Sequence, residues 1–213
     1  MKQLQRIALA ALAACALAGS LAGCAPIVLG GAAMGAFVAT DRRTSGAQLE
    51  DEGIELRAST RLRDALGGRV HVNVTSYNRQ VLLTGEVPDE AHKQTVQELV
   101  SRVENVQGVA NELGVLGQTT LSQRSADALV TGKLKATLVD ARDLSANAFK
   151  VVTERGTVYL MGRVSAREAD RATELARSIS GVQRVVRMFE VISEEELARM
   201  GTLAPQQQPA ARQ

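Results

Sequence analysis

Aromatic side chains are almost missing: three Phe, two Tyr and no Trp in 213 residues. A surface with so few stacking faces is a poor platform for nucleic-acid bases. Net charge is also small, with 25 Lys and Arg against 23 Asp and Glu. That balance lacks the basic excess of a nucleic-acid binder, so no nucleic-acid partner is expected. Histidine is limited to His71 and His92, with no second ligand pattern around either. Both read as surface histidines, since a metal site needs more donors. Gly30-Gly31 and Gly67-Gly68 are followed by no Lys-Ser/Thr and form no phosphate loop. Glu86, Asp89 and Glu90 offer neighbouring carboxylates. Acids in the first turn of a helix account for Asp89 and Glu90 without acid–base chemistry. No Ser/His/Asp set has a recognisable spacing, and no enzyme class gains support.

Cysteine is equally sparse, at Cys15 and Cys24. Residues 1–23 have the layout of a signal peptide: Lys2 and Arg6, then an apolar core over residues 7–17, too short to span a bilayer comfortably. The core ends in Leu21-Ala22-Gly23-Cys24, which resembles a bacterial lipoprotein box. That resemblance implies thioether lipidation of Cys24 and cleavage before it. Cys15 leaves with the signal peptide, so the mature chain keeps one Cys and has no intramolecular disulfide. By the same resemblance, Ala25 in place of Asp implies transfer to the outer membrane. Residues 24–45 are expected to form a lipidated, flexible tether ending in the polar turn Asp41-Arg42-Arg43-Thr44-Ser45-Gly46.

What the sequence does have is a repeat. Val81-Leu82-Leu83-Thr84-Gly85-Glu86-Val87 returns as Val158-Tyr159-Leu160-Met161-Gly162-Arg163-Val164, 77 positions later. Both copies alternate like strands, and each Gly marks a bend or a close backbone approach. Around the first copy, Ile54, Ala58, Leu62, Ala65 and Leu66 recur at helical spacing, and Gly67-Gly68 stops that helix. Val70, Val72 and Val74 predict a half-buried strand, and Asn78-Arg79-Gln80 a hairpin loop. Pro88-Asp89-Glu90 opens a second helix with Val96, Leu99, Val100 and Val103 inward, and residues 109–115 supply a third strand.

The second copy follows a polar linker. Ser125 or Asp127 is expected to cap a helix whose core stripe is Val130, Leu134 and Leu138. Phe149, Val151 and Thr153 then alternate as a strand, and Glu154-Arg155-Gly156-Thr157 forms the turn. A helix with Ala169, Ala172, Ala176 and Ile179 inward leads to a last strand over residues 182–191. The order is helix, strand, strand, helix, strand, twice. About sixty residues make only a marginal core, so the two domains are expected to pack on each other.

This repeat resembles the BON domain, through the Gly85 and Gly162 segments and the endings Val106-Gln107-Gly108-Val109-Ala110-Asn111 and Val182-Gln183-Arg184-Val185-Val186-Arg187. The second ending departs from the pattern at Arg184 and Arg187. The resemblance implies an α+β chain of two tandem αββαβ domains, each a three-stranded mixed sheet packed against two helices. Its expected divisions are a signal peptide (1–23), tether (24–45), first domain (46–116), linker (117–124), second domain (125–192) and polar, disordered tail (193–213). It further implies a non-enzymatic lipoprotein on the periplasmic side of the outer membrane that supports envelope integrity and binds anionic phospholipid of the phosphatidylglycerol type through the second domain. The alternative it implies is a scaffold for envelope proteins, such as the β-barrel assembly machinery or division-site proteins. No cofactor is expected beyond the lipid on Cys24.

Charge places the lipid site. Residues 53–113 carry seven Lys and Arg against eight Asp and Glu, whereas residues 125–192 carry eleven against eight. The helix expected over residues 126–139 has more apolar residues than one core stripe needs. The candidate phospholipid-binding set is Leu129, Val130, Lys133, Leu134, Lys135 and Arg142, with Leu129 dipping among acyl chains and the basic groups meeting phosphate. The competing expectation for Leu129 is packing on the first domain or under a neighbouring strand. Gly85 and Gly162 are expected to be structural.

Overall fold

The computed structural model describes residues 41–203. The signal peptide, Cys24 with its lipid, Ala25, the tether as far as residue 40 and the Gln-rich end at 204–213 lie outside the described residues.

The first domain opens with α1 (Ser45–Leu66), whose N-cap Thr44 accepts a hydrogen bond from the Ala47 amide. Ile54, Ala58, Leu62 and Leu66 form its buried stripe, as the i, i+4 spacing requires. β1 (His71–Tyr77) and β2 (Gln80–Val87) pair antiparallel. α2 (Glu90–Ser101) then crosses back, capped by Asp89, and delivers a strand parallel to β2. That third strand is broken. β3 (Gly108–Asn111) pairs with the start of β2 and β4 (Gly114–Val115) with its end. Between them Leu113 turns inward and is 2% exposed, so burying one Leu interrupts the ladder that residues 109–115 were expected to continue.

The second domain repeats the plan without the break. α3 (Leu121–Asp140) precedes β5 (Phe149–Glu154), β6 (Thr157–Ser165), α4 (Ala166–Ser178) and β7 (Arg184–Ile192). β5 is antiparallel and β7 parallel to the central β6. α3 starts five residues before the expected 126. Its cap is neither Ser125 nor Asp127 but Thr120, which forms a reciprocal capping box with Gln123. The chain from Glu194 is not wholly irregular either: α5 (Glu194–Leu203) follows β7, and Glu196 accepts from Arg163 on β6.

Alternation along the central strands decides how the domains meet. Val81, Leu83 and Val87 of β2 face α1 and α2, and Val158, Leu160 and Val164 of β6 face α3 and α4. The intervening residues point the other way. There Tyr77 and Leu82 pack with Tyr159 and Met161 in one buried cluster shared by both domains. The molecule is therefore layered as helices, sheet, sheet, helices, with the two inner sheet faces sharing one core.

At both glycines the obstacle to a side chain is neighbouring backbone rather than a packed helix. Gly85 has φ +111°, and a Cβ there would collide with the carbonyl oxygen of His71. A Cβ on Gly162 would collide with the carbonyl oxygen of Ala148. In each case the obstacle is neighbouring backbone, which cannot swing aside.

The end of the expected tether is also fastened down. Arg42 donates to both carboxylate oxygens of Glu168, at 2.7 and 2.8 Å, and to the Arg163 carbonyl. Arg43 donates to Asp41 and Asp51 and lies over the Tyr77 ring. Residues 41–43 thus bind both domains, where the polar composition suggested a loose turn.

Candidate functional site

The candidate site lies on the outer face of α3. Val130 and Leu134, expected to touch lipid, are 6% and 0% exposed and sit in the second-domain core. They are corrected to packing residues: their i, i+4 spacing with Leu138 makes them the inward stripe. Leu129 is 65% exposed, so packing on the first domain or under a strand is excluded for it. Lys133, Lys135 and Arg142 are exposed as well.

Early capping adds residues that the sequence reading missed. Leu121 is 81% and Val139 71% exposed. At about 100° per residue, Leu121, Ala128, Leu129, Gly132, Ala136 and Val139 all fall on the side of α3 turned away from Leu134. Lys133 and Lys135 stand about 100° to either side of the core direction, so they border that apolar strip on opposite flanks. Arg142 lies in the turn just beyond the helix. The signal for Leu121 was Thr120 with Gln123 three residues on; placing the helix start at 126 concealed it. Among the described residues, no helix is long and apolar enough to cross a membrane.

Buried charge fixes α3 to the rest of the molecule. Asp127, one of the expected caps, is 8% exposed and accepts the Arg155 and Gly156 amides of the β5–β6 turn, both at 2.8 Å. Asp51 does the same on α1, accepting the Asn78 and Arg79 amides of the β1–β2 turn and the Ser76 hydroxyl. Each domain thus ties its first helix to its hairpin through one buried carboxylate. Arg155 then reaches across the domain boundary. Its Nε donates to Glu86 at 2.9 Å and its guanidinium to the Gly117 carbonyl.

Glu86 is enclosed, with its side chain 0% exposed between Arg155 and His71 Nδ1, each at 2.9 Å. Burial pushes its carboxyl up, but the hydrogen bonds from His71 and Arg155 outweigh it and hold the group below the usual range. Asp51 and Glu168 are depressed in the same way. Burial is outweighed at Asp51 by Ser76, backbone amides and Arg43, and at Glu168 by Arg42 and the Ser165 amide. Glu154 goes the other way, raised by burial and then by the charges of Glu86 and Asp127. His71 is therefore an interface residue rather than a free surface histidine. His92 contacts Asp89 at the start of α2. Among the described residues, no three His, Cys, Asp or Glu side chains are grouped to hold a metal ion.

These features define a class: a tandem-repeat α+β protein of two αββαβ units docked sheet to sheet. The chain belongs to the BON domain family, which it matches at residues 50–117 and again at 126–193. It is 39% identical over 81% of its length to the outer membrane lipoprotein DolP of Haemophilus influenzae, covering 90% of that protein. It is 33% identical over 71% of its length to a 21 kDa hemolysin of Actinobacillus pleuropneumoniae, covering 79% of it. Similarity to the osmotically-inducible protein Y of Escherichia coli is lower, 27% identity over 54% of this chain.

Proposed function

We propose that this chain is a non-enzymatic lipoprotein, anchored through Cys24 to the periplasmic side of the outer membrane, that supports envelope integrity by binding anionic phospholipid through the outer face of α3. The observation that carries the reading is the exposed strip of Leu121, Leu129 and Val139, bordered by Lys133 and Lys135. An interfacial helix needs this pattern: apolar side chains enter the acyl boundary while flanking ammonium groups stay at phosphate depth. Neither lysine enters an ion pair among the described residues, so both charges are available. Each basic group near an anionic surface contributes about 1 kcal/mol. That is weak alone, but a lipid anchor confines the domain near a bilayer and raises its effective concentration there. The name of the Haemophilus relative, an outer membrane lipoprotein, supports the location.

The test uses the chain from residue 25 onward and vesicles with or without phosphatidylglycerol. Binding is expected only to the anionic vesicles and to weaken with salt. Leu129→Glu and Lys133→Glu should each reduce it about tenfold without lowering the melting temperature, since neither side chain is buried. Unchanged binding by both folded variants would remove α3 as the site.

A further inference from the structure

A second surface lies at the opposite end of the second domain's chain path, along β7. This strand runs nine residues without a break and, among the described residues, pairs with β6 alone. Its other edge is bare. The Gln183 amide donates to the Gly156 carbonyl of the β5–β6 turn. The Arg184 amide reaches the same carbonyl. Thr157 pairs with Glu154 across the β5–β6 turn, so Val158, Leu160 and Gly162 face β7, and period-two alternation directs the backbone groups of residues 184, 186, 188 and 190 toward β6. Those of Val185, Arg187 and Phe189 point outward, and among the described residues no other backbone or side chain pairs with them.

The bare edge does not simply face solvent. Met188, Phe189 and Glu190 form one wall of a cleft of about 520 Å³, whose other wall is Asn78, Gln80 and Gln107 of the first domain. Asn78 Nδ2 donates to Glu190 at 2.6 Å and closes one end. The carboxamides of Gln80 and Gln107 have no hydrogen-bond partner among the described residues. One wall is therefore an unpaired strand edge, and the other carries two free side-chain amides. A carboxamide donates and accepts as a peptide group does.

Phe189 offers no stacking face here, because its ring packs edge-on against Phe149 on the helix side of the sheet, 6.0 Å between centroids. That disfavours a sugar and favours a chain that uses its backbone. We infer that this cleft takes an extended polypeptide segment of a partner protein, added as a fourth strand beside β7. Its other edge meets Gln80 and Gln107. Strand addition draws affinity from main-chain hydrogen bonds and specificity from alternate side chains. On one face the added strand meets Met188, on the other Val191, which is 57% exposed, so apolar residues fit there. Toward the start of β7 it passes Arg184 and Arg187, which are already paired with Glu112 and Asp170, so no acidic residue is called for there.

The experiment selects from a displayed library of random twelve-residue peptides against the full-length chain in detergent, then measures binding of the enriched peptides. Enriched sequences should lack proline and alternate apolar residues. On binding, hydrogen exchange at the Val185, Arg187 and Phe189 amides should slow, while the amides of residues 186, 188 and 190, already bonded to β6, change little. The pair Gln80→Ala and Gln107→Ala, neither side chain buried, should weaken binding about tenfold, as loss of two hydrogen bonds of about 0.7 kcal/mol each implies. Arg187→Pro removes one outward donor and only an exposed ion pair with Asp170, so it should abolish binding while leaving the melting temperature close to that of the parent. A library that enriches nothing, peptides that bind the Gln variants as tightly as the parent, or exchange that slows elsewhere but not at Val185, Arg187 and Phe189 would each overturn the assignment.

Discussion

At Thr84 a single hydroxyl is out of place. It lies on the inter-sheet face between Leu82 and Glu86, and its Oγ1 is buried without a hydrogen-bond partner. An orphaned buried polar atom costs its desolvation, about 1–3 kcal/mol, whereas a methyl group there loses nothing. Thr84→Val should therefore stabilise the chain by about 1 kcal/mol and raise the melting temperature by about 2–4 °C in a protein of this size. The melting curve of the variant checks this. Gly162 behaves in the opposite sense. Its Cβ would meet the Ala148 carbonyl oxygen, so Gly162→Val must push β5 and β6 apart. Calorimetry of this variant should show a loss of about 1–3 kcal/mol, as for overpacked cores. The two residues differ in how far the sequence reveals them. Gly162 is legible because a glycine inside a strand pattern needs a spatial reason. Thr84 looks like ordinary strand chemistry until the second sheet is placed over it.

Elements are joined by short-range devices that sequence periodicity does not display. Asp127 was legible as an acid near a helix start, and its expected role was capping. In the fold it sits inside α3, and its carboxylate holds the β5–β6 turn some 28 residues away in sequence. Asp51 holds the β1–β2 turn in the same manner. Asp127→Ala leaves two turn amides without their acceptor and should cost about 1–3 kcal/mol. Thr120→Ala, which removes the true cap, should cost about 1 kcal/mol. Ser125→Ala should cost nothing measurable, because the Ser125 hydroxyl only donates back to the Leu121 carbonyl. Urea unfolding of the three variants distinguishes these ranks, and equal effects at Ser125 and Thr120 would contradict the capping assignment. The core stripes of all four domain helices were readable, since 3.6-residue spacing is a local property. Helix starts and turn latches were not, since they depend on which side chain finds which amide.

Across the whole molecule, the domains are held by buried acids whose charge is maintained by partners. Glu86, Asp51 and Glu168 titrate below their ordinary values of 4.5, 3.8 and 4.5. A depressed carboxylate contributes stability that is fully present above its unfolded pKa and is lost as pH falls through its folded pKa. Stability should thus be flat above about pH 5 and fall steadily below pH 4. Glu154 is raised instead, so its charged form opposes folding and protonation relieves it. Glu154→Gln should raise the melting temperature at pH 7, with the gain shrinking as pH falls into the range where wild-type Glu154 is itself protonated. A melting series from pH 3 to 7 reads both effects, and a gain that grows on acidification would contradict the sign. Arg42 belongs to this scale too, because it ties the segment before α1 to Glu168 on α4. Its role as a brace could not be seen in Asp41-Arg42-Arg43, which by composition is a turn.

By itself the sequence determined the repeat, the order of elements, the helix stripes, the glycines and the excess of apolar residues on one helix. All of these follow from periodicity or from backbone geometry within a few residues. Only the tertiary structure decided that the two sheets meet face to face, that Glu86 is enclosed by His71 and Arg155, that Val130 and Leu134 turn inward while Leu121 and Val139 remain outside, and that the β7 edge stands open beside two free amides. The physical reason is the same in each case. Hydrophobic alternation says that a strand has two faces, but what covers the second face, and which buried charges find partners there, is settled by residues 69 to 126 positions away in sequence.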